Sequence, residues 1–199
     1  VSPVAAATGG TALGRRWWLV GLLVLLLWAC SWCLPAQAAG IELREIEIGR
    51  SEEAVVLSFT ARFELPKTVE DAVLKGVPLH FVAEANTFRS RWYWRDQRVS
   101  RASRTWRLAY QPLTRRYRVT FGSLHQSYES LSDALTAVQR SSRWKIAEVS
   151  QFEPGERHYI ELVYRLDTGQ LPRPFQIGIG GQAEWDLSAE STMVIEDPT

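Results

Sequence analysis

Apolar and polar residues alternate with a period of two along much of the chain after residue 50. Val55, Leu57, Phe59, Ala61 and Phe63 share one phase, with Ser58, Thr60 and Arg62 in the other. Successive side chains of a strand point to opposite faces, so this pattern predicts a half-buried strand. Leu79, Phe81, Ala83 and Ala85 repeat it against His80, Glu84 and Asn86. Trp106, Leu108 and Tyr110 form a further phase, as do Tyr117, Val119 and Phe121, and Pro112-Leu113-Thr114 between them reads as a hairpin connection. Ile160, Leu162, Tyr164 and Leu166 predict another strand. A last one is expected over Phe175, Ile177 and Ile179, after Pro172-Arg173-Pro174, with Gly178, Gly180 and Gly181 marking a bulge or bend.

Two segments switch to helical spacing. Thr68 stands where it can cap a short helix containing Val69, Ala72 and Val73, with Gly76 as the stop. Ser130 precedes Asp133 in the same capping arrangement, with Leu131, Ala134, Leu135 and Val138 on one face. The expected fold is therefore mainly β with two short helices, an antiparallel sheet built as a sandwich or partly open barrel.

The first 38 residues follow a different rule. Arg15-Arg16 precedes an apolar run from Trp17 to Leu34, Pro35 ends it, and Ala36-Gln37-Ala38 offers small residues at alternate positions. A basic stretch, an apolar core and an A-x-A site make an export signal, with cleavage before Ala39. Residues 1–38 are thus read as the signal segment and 39–199 as a single β-rich domain in the periplasm. The alternatives are an inner-membrane anchor formed by the same uncleaved run, a lipid-modified Cys30, and a twin-arginine signal. On the export reading, the membrane is met only through this segment, and only if it stays attached. Cys30 and Cys33 both lie within it, so the domain has neither disulfide nor thiol chemistry.

Charge adds one local feature. Residues 39–199 carry 21 basic and 22 acidic groups, a balance that excludes a polyanion partner by bulk charge, and no nucleic-acid partner is expected. Residues 88–118 nevertheless hold ten arginines and only Asp96. If the alternation runs on through Arg89-Ser90-Arg91-Trp92-Tyr93-Trp94-Arg95, the tryptophans point inward and Arg89, Arg91, Tyr93 and Arg95 outward. Arg107, Arg116 and Arg118 fall on the same outward phase of their own strands. Together these seven residues are the candidate binding surface, an arginine ladder whose guanidinium forks suit an envelope protein or an anionic envelope component. The alternative is pairing of the arginines with flanking carboxylates. Trp92, Trp94, Trp106, Trp144 and Trp185 offer a sugar-stacking platform, but the alternation assigns the first three to the core.

No catalytic residues emerge. His80, His125 and His158 have no metal-ligand spacing, His80 and His158 are expected at strand surfaces, and no metal or cofactor is expected. No G-x-S-x-G nucleophile elbow occurs. The blocks AVLKGVPL at 72–79, RWYWR at 91–95, RLAYQPLTRRYR at 107–118, SDAL at 132–135 and LPRP at 171–174, taken in this order, resemble domain-of-unknown-function family 4390, exported proteins of Gram-negative bacteria. The resemblance implies an envelope location, a β-rich domain and association with a membrane sensor kinase, and it brings no catalytic residues. The leading expectation is a non-enzymatic envelope binding or accessory protein. A carrier of a small apolar ligand or lipid, and an envelope glycan- or lipid-processing enzyme with unidentified carboxylates, are the alternatives.

Overall fold

The computed structural model describes residues 40–178 and 183–195, so the segment read as an export signal, Ile179 and the Gly180-Gly181 pair lie outside the described residues. Among the described residues, nine strands form two antiparallel sheets. The smaller sheet has the order β1 (Glu42–Ser51), β2 (Ala54–Arg62), β7 (Arg140–Glu148). The larger has the order β6 (Leu124–Tyr128), β5 (Arg116–Phe121), β4 (Gln97–Gln111), β3 (Leu79–Arg89), β8 (His158–Leu166), β9 (Ser188–Ile195). The arrangement is a sandwich and not a closed barrel.

The core is built from the alternating residues. Leu57, Phe59 and Ala61 of β2 and Trp144 and Ile146 of β7 face Phe81, Ala83 and Ala85 of β3, Trp106 and Leu108 of β4, and Ile160, Leu162 and Tyr164 of β8. All are buried, as the period-two pattern predicts. Aromatic rings dominate the centre: Tyr164 lies 5.9 Å from Phe59, 6.0 Å from Phe63 and Trp106, and 6.2 Å from Phe81, centroid to centroid. Such ring pairs stabilise beyond their buried area.

Helix α1 (Lys67–Leu74) buries Val69, Ala72 and Val73 and ends at Gly76, whose φ of 88° only glycine adopts without strain. Its N-terminal boundary is Pro66 and not Thr68, whose hydroxyl instead donates to Glu184 at 2.6 Å. Helix α2 (Leu131–Gln139) is capped as expected: the Asp133 N–H donates to the Ser130 hydroxyl at 3.1 Å. At its other end, the Val138 carbonyl accepts from the buried Tyr164 hydroxyl at 2.8 Å, joining the helix to the centre of the large sheet.

The strand expected over Phe175 and Ile177 is a helical turn, α3 (Arg173–Gly178). The Phe175 and Gln176 N–H groups donate to the Pro172 carbonyl, and the Gln176 side chain returns to the carbonyls of Gly169 and Leu171. Two proline-flanked apolar residues satisfy either period, and here the local hydrogen bonds decide. The final strand is β9. His158 is buried at 3 % exposure, not on a strand surface, because it belongs to the inward phase of β8 with Ile160 and Leu162.

Candidate docking site

The seven candidate residues divide into two groups at opposite ends of β3 and β4. Arg107 pairs across the sheet with His80 near the start of β3, whereas Arg89 pairs with Gln97 at its end. Nine residues of strand, roughly 30 Å, separate them. Arg107, Arg116 and Arg118 do project from the outer face of the large sheet, where Arg116 meets Glu129 at 3.0 Å. Arg107 and Arg118 form no ion pair among the described residues. Between the two groups, Arg101 and Arg165 share the carboxylate of Glu84, at 2.8 and 3.1 Å, so part of the ladder is paired as a solvated sheet face. The Glu84 carboxyl is held below its ordinary range, first by the Arg165 hydrogen bond and then by that of Arg101.

At the other end the sequence expectation is overturned. Strand β3 stops at Arg89, β4 starts at Gln97, and residues 90–96 form the connecting loop. Trp92 is 93 % exposed, Tyr93 71 % and Trp94 72 %, so the two tryptophans are not core residues. Alternation distinguishes two faces but does not say whether a second sheet covers either one. Strand pairing between β3 and β8 ends at Arg89, since β8 begins opposite it at His158. Three aromatic rings are left on a projecting turn.

That turn is braced at its base. The Arg91 N–H donates to one oxygen of Asp96 at 3.0 Å, and the Tyr159 hydroxyl of β8 donates to the other at 2.8 Å. These bonds hold the Asp96 carboxyl below its ordinary range, the Arg91 N–H contributing most. Burial, followed by the Asp96 hydrogen bond, pushes the Tyr159 hydroxyl up to about 12. Ser90 donates its N–H to the Arg157 carbonyl, Arg89 pairs with Glu153, and the guanidiniums of Arg89 and Arg91 both reach the Gln97 side-chain oxygen. Beneath them Phe88 stacks on Tyr159 with centroids 5.2 Å apart, and the Phe152 ring lies edge-on to His158 at 4.9 Å. The rings themselves are not one flat surface: Trp92 and Tyr93 meet at 74°.

Sequence reasoning missed Arg104. It shares the inward phase of Trp106 and Leu108, yet its guanidinium lies 5.2 Å from the Phe121 centroid and 5.5 Å from that of Trp144 and donates to Ser141 at 3.0 Å. Desolvation lowers its pKa. Arg104 closes one rim of the sandwich by cation–π contact, beside a groove lined by Ser103, Thr105 and Lys145. The detectable signal was an arginine in phase with two core residues.

Among the described residues, no group of three or more His, Cys, Asp or Glu is placed to hold a metal ion, and no helix is long and apolar enough to cross a membrane. No curated protein and no solved structure matches the chain at a significant level. A family model does match, over residues 38–194, which takes in both sheets and the projecting turn. The chain thus belongs to the family described as domain of unknown function (DUF4390).

Proposed function

We propose that this protein is an exported, non-enzymatic docking module of the bacterial envelope and that the loop at 90–96 is its contact element. The observation that carries this reading is the exposure of three consecutive aromatic residues on a braced turn. Trp, Tyr and Arg are the residues that dominate binding interfaces, because they combine large contact area with a polar group at low entropic cost. Leaving Trp92, Tyr93 and Trp94 in water costs hydrophobic free energy that docking recovers. The base of the loop is fixed by Asp96, so little ordering is left to be done on binding. The export reading rests on the apolar run after Arg15-Arg16 and on Ala36-Gln37-Ala38.

The test is photocrosslinking in cells, with a photoreactive side chain at Tyr93 and, as control, at Leu124, which is 70 % exposed on the edge strand β6. The reading expects adducts from position 93 that are absent from position 124 and are lost on W92S/W94S. Equal labelling at the two positions, or labelling insensitive to W92S/W94S, refutes it.

A further inference from the structure

We infer that the surface met by this loop is the headgroup layer of an anionic lipid bilayer. The inference rests on the docking reading above and names its partner. Three observations point to lipid. The first is the set of rings: two indoles and a phenol, each an apolar body with one polar group, is the composition that settles at membrane–water boundaries. The second is their geometry. Trp92, Tyr93 and Trp94 occupy consecutive positions, all strongly exposed, and the first two rings meet at 74°. Rings set at that angle offer no single flat platform. A fluid boundary that surrounds the turn accommodates all three.

The third observation is charge. Arg91 and Arg95 flank the rings, and Arg98 and Arg157 stand at the base of the turn, all exposed. Arg89 is engaged by Glu153, and the exposed Asp96 accepts from the Arg91 N–H and the Tyr159 hydroxyl, neutral donors that leave its negative charge in place. Among the described residues around the turn, the five arginines at 89, 91, 95, 98 and 157 stand against the three carboxylates of Asp96, Glu153 and Glu156, an excess of two positive charges. Arginine stems lie along apolar surface while the guanidinium stays in the polar layer, where it meets lipid phosphates. Aromatic rings between basic residues thus match an anionic interface in both depth and sign.

The apolar run at 17–34 partitions into vesicles by itself, so the readout has to be local to the turn. The full chain, carrying a photoreactive side chain at Tyr93 or at Leu124, is reconstituted with vesicles of mixed phosphatidylglycerol and phosphatidylethanolamine, or of phosphatidylcholine alone. After irradiation, lipid adducts at each position are quantified by mass spectrometry. One basic residue near an anionic surface is worth roughly fivefold in partitioning, equivalent to about 1 kcal/mol. R91Q/R95Q is therefore expected to lower the adduct at position 93 by at least about fivefold in the anionic vesicles. The adduct is expected to fall similarly in phosphatidylcholine, to be lost on W92S/W94S, and to be absent at position 124.

A lipid adduct at 93 that ignores headgroup charge and R91Q/R95Q overturns the anionic assignment. If position 93 yields no lipid adduct while the in-cell experiment captures a protein there, the bilayer is refuted and the docking reading stands. If position 93 labels neither lipid nor protein, both fail.

Discussion

Replacing Tyr164 by Phe removes one oxygen from the buried aromatic cluster at the centre of the sandwich. The ring keeps its contacts with Phe59, Phe63, Phe81 and Trp106. The Val138 carbonyl, however, loses its 2.8 Å donor. Val138 lies in the last turn of α2, where no further helical N–H is available to replace it. A buried hydrogen bond is worth about 0.5–1.5 kcal/mol net, and a carbonyl left unpaired raises the loss to about 1–3 kcal/mol. For a chain of this length the expected fall in melting temperature is roughly 2–12 °C, and the urea midpoint falls with m unchanged. The difference also depends on pH. Burial pushes the Tyr164 hydroxyl well above its ordinary value, so the folded state keeps a proton that the unfolded state gives up near pH 10. The unfolded state then binds fewer protons, and stability falls with rising pH by about 1.4 kcal/mol per unit from this group alone. The Phe variant lacks that slope, so parent and variant curves converge above about pH 10. Urea titrations of both proteins at pH 8 and pH 11 are the assay. A difference under about 0.5 kcal/mol at pH 8, or one that is undiminished at pH 11, refutes the assignment of Tyr164 as the donor that closes α2.

Glu84 acts at the opposite end of the pH scale. Its carboxyl is depressed by Arg165 and Arg101, so its contribution is present above the unfolded carboxylate range and is lost as pH falls through the folded value. Acid unfolding of E84Q followed by circular dichroism should therefore show a shallower loss of stability below about pH 4 than the parent. The variant D96N weakens the acceptor for the Arg91 N–H and Tyr159 hydroxyl; hydrogen exchange at the Arg91 amide should accelerate at least about tenfold while β3 and β8 amides stay protected. Removing the cap of α2 with S130A should lower stability by about 1 kcal/mol in urea titration.

The sequence was most legible where one strand face meets the opposing sheet. Leu57-Ser58-Phe59-Thr60-Ala61 and Ile160-Glu161-Leu162-Val163-Tyr164 show their inward phase directly, because every second residue is buried. Strands at sheet edges lack this contrast. β6 reads Leu-His-Gln-Ser-Tyr and is exposed over four of its five residues, while β9 opens with the small and polar residues Ser-Ala-Glu-Ser-Thr, and none of its residues is fully buried. Neither has a fully buried face to mark it. β1 hides its pattern behind a bulge between Arg44 and Glu47, where Glu45 has a φ of 51°. The candidate surface was legible as composition but not as geometry: Arg89, Arg91, Tyr93 and Arg95 do gather at one place, while Arg107, Arg116 and Arg118 stand at the far end of the sheet. What separated them was the end of strand pairing at Arg89, a tertiary property that a run of Arg, Trp and Tyr residues does not encode.

The division of the tryptophans into two environments gives the domain an internal spectroscopic reporter. Trp106, Trp144 and Trp185 are at most 5 % exposed, whereas Trp92 and Trp94 stand in water. Unfolding moves the emission of the first set to longer wavelength, and desolvation at the turn moves that of the second to shorter wavelength. The two events thus have opposite signs in one measurement. Subtracting the spectrum of W92F/W94F, which also removes the constant background of the four tryptophans before residue 39, isolates the turn. Its surroundings can then be followed in real time without attaching a label.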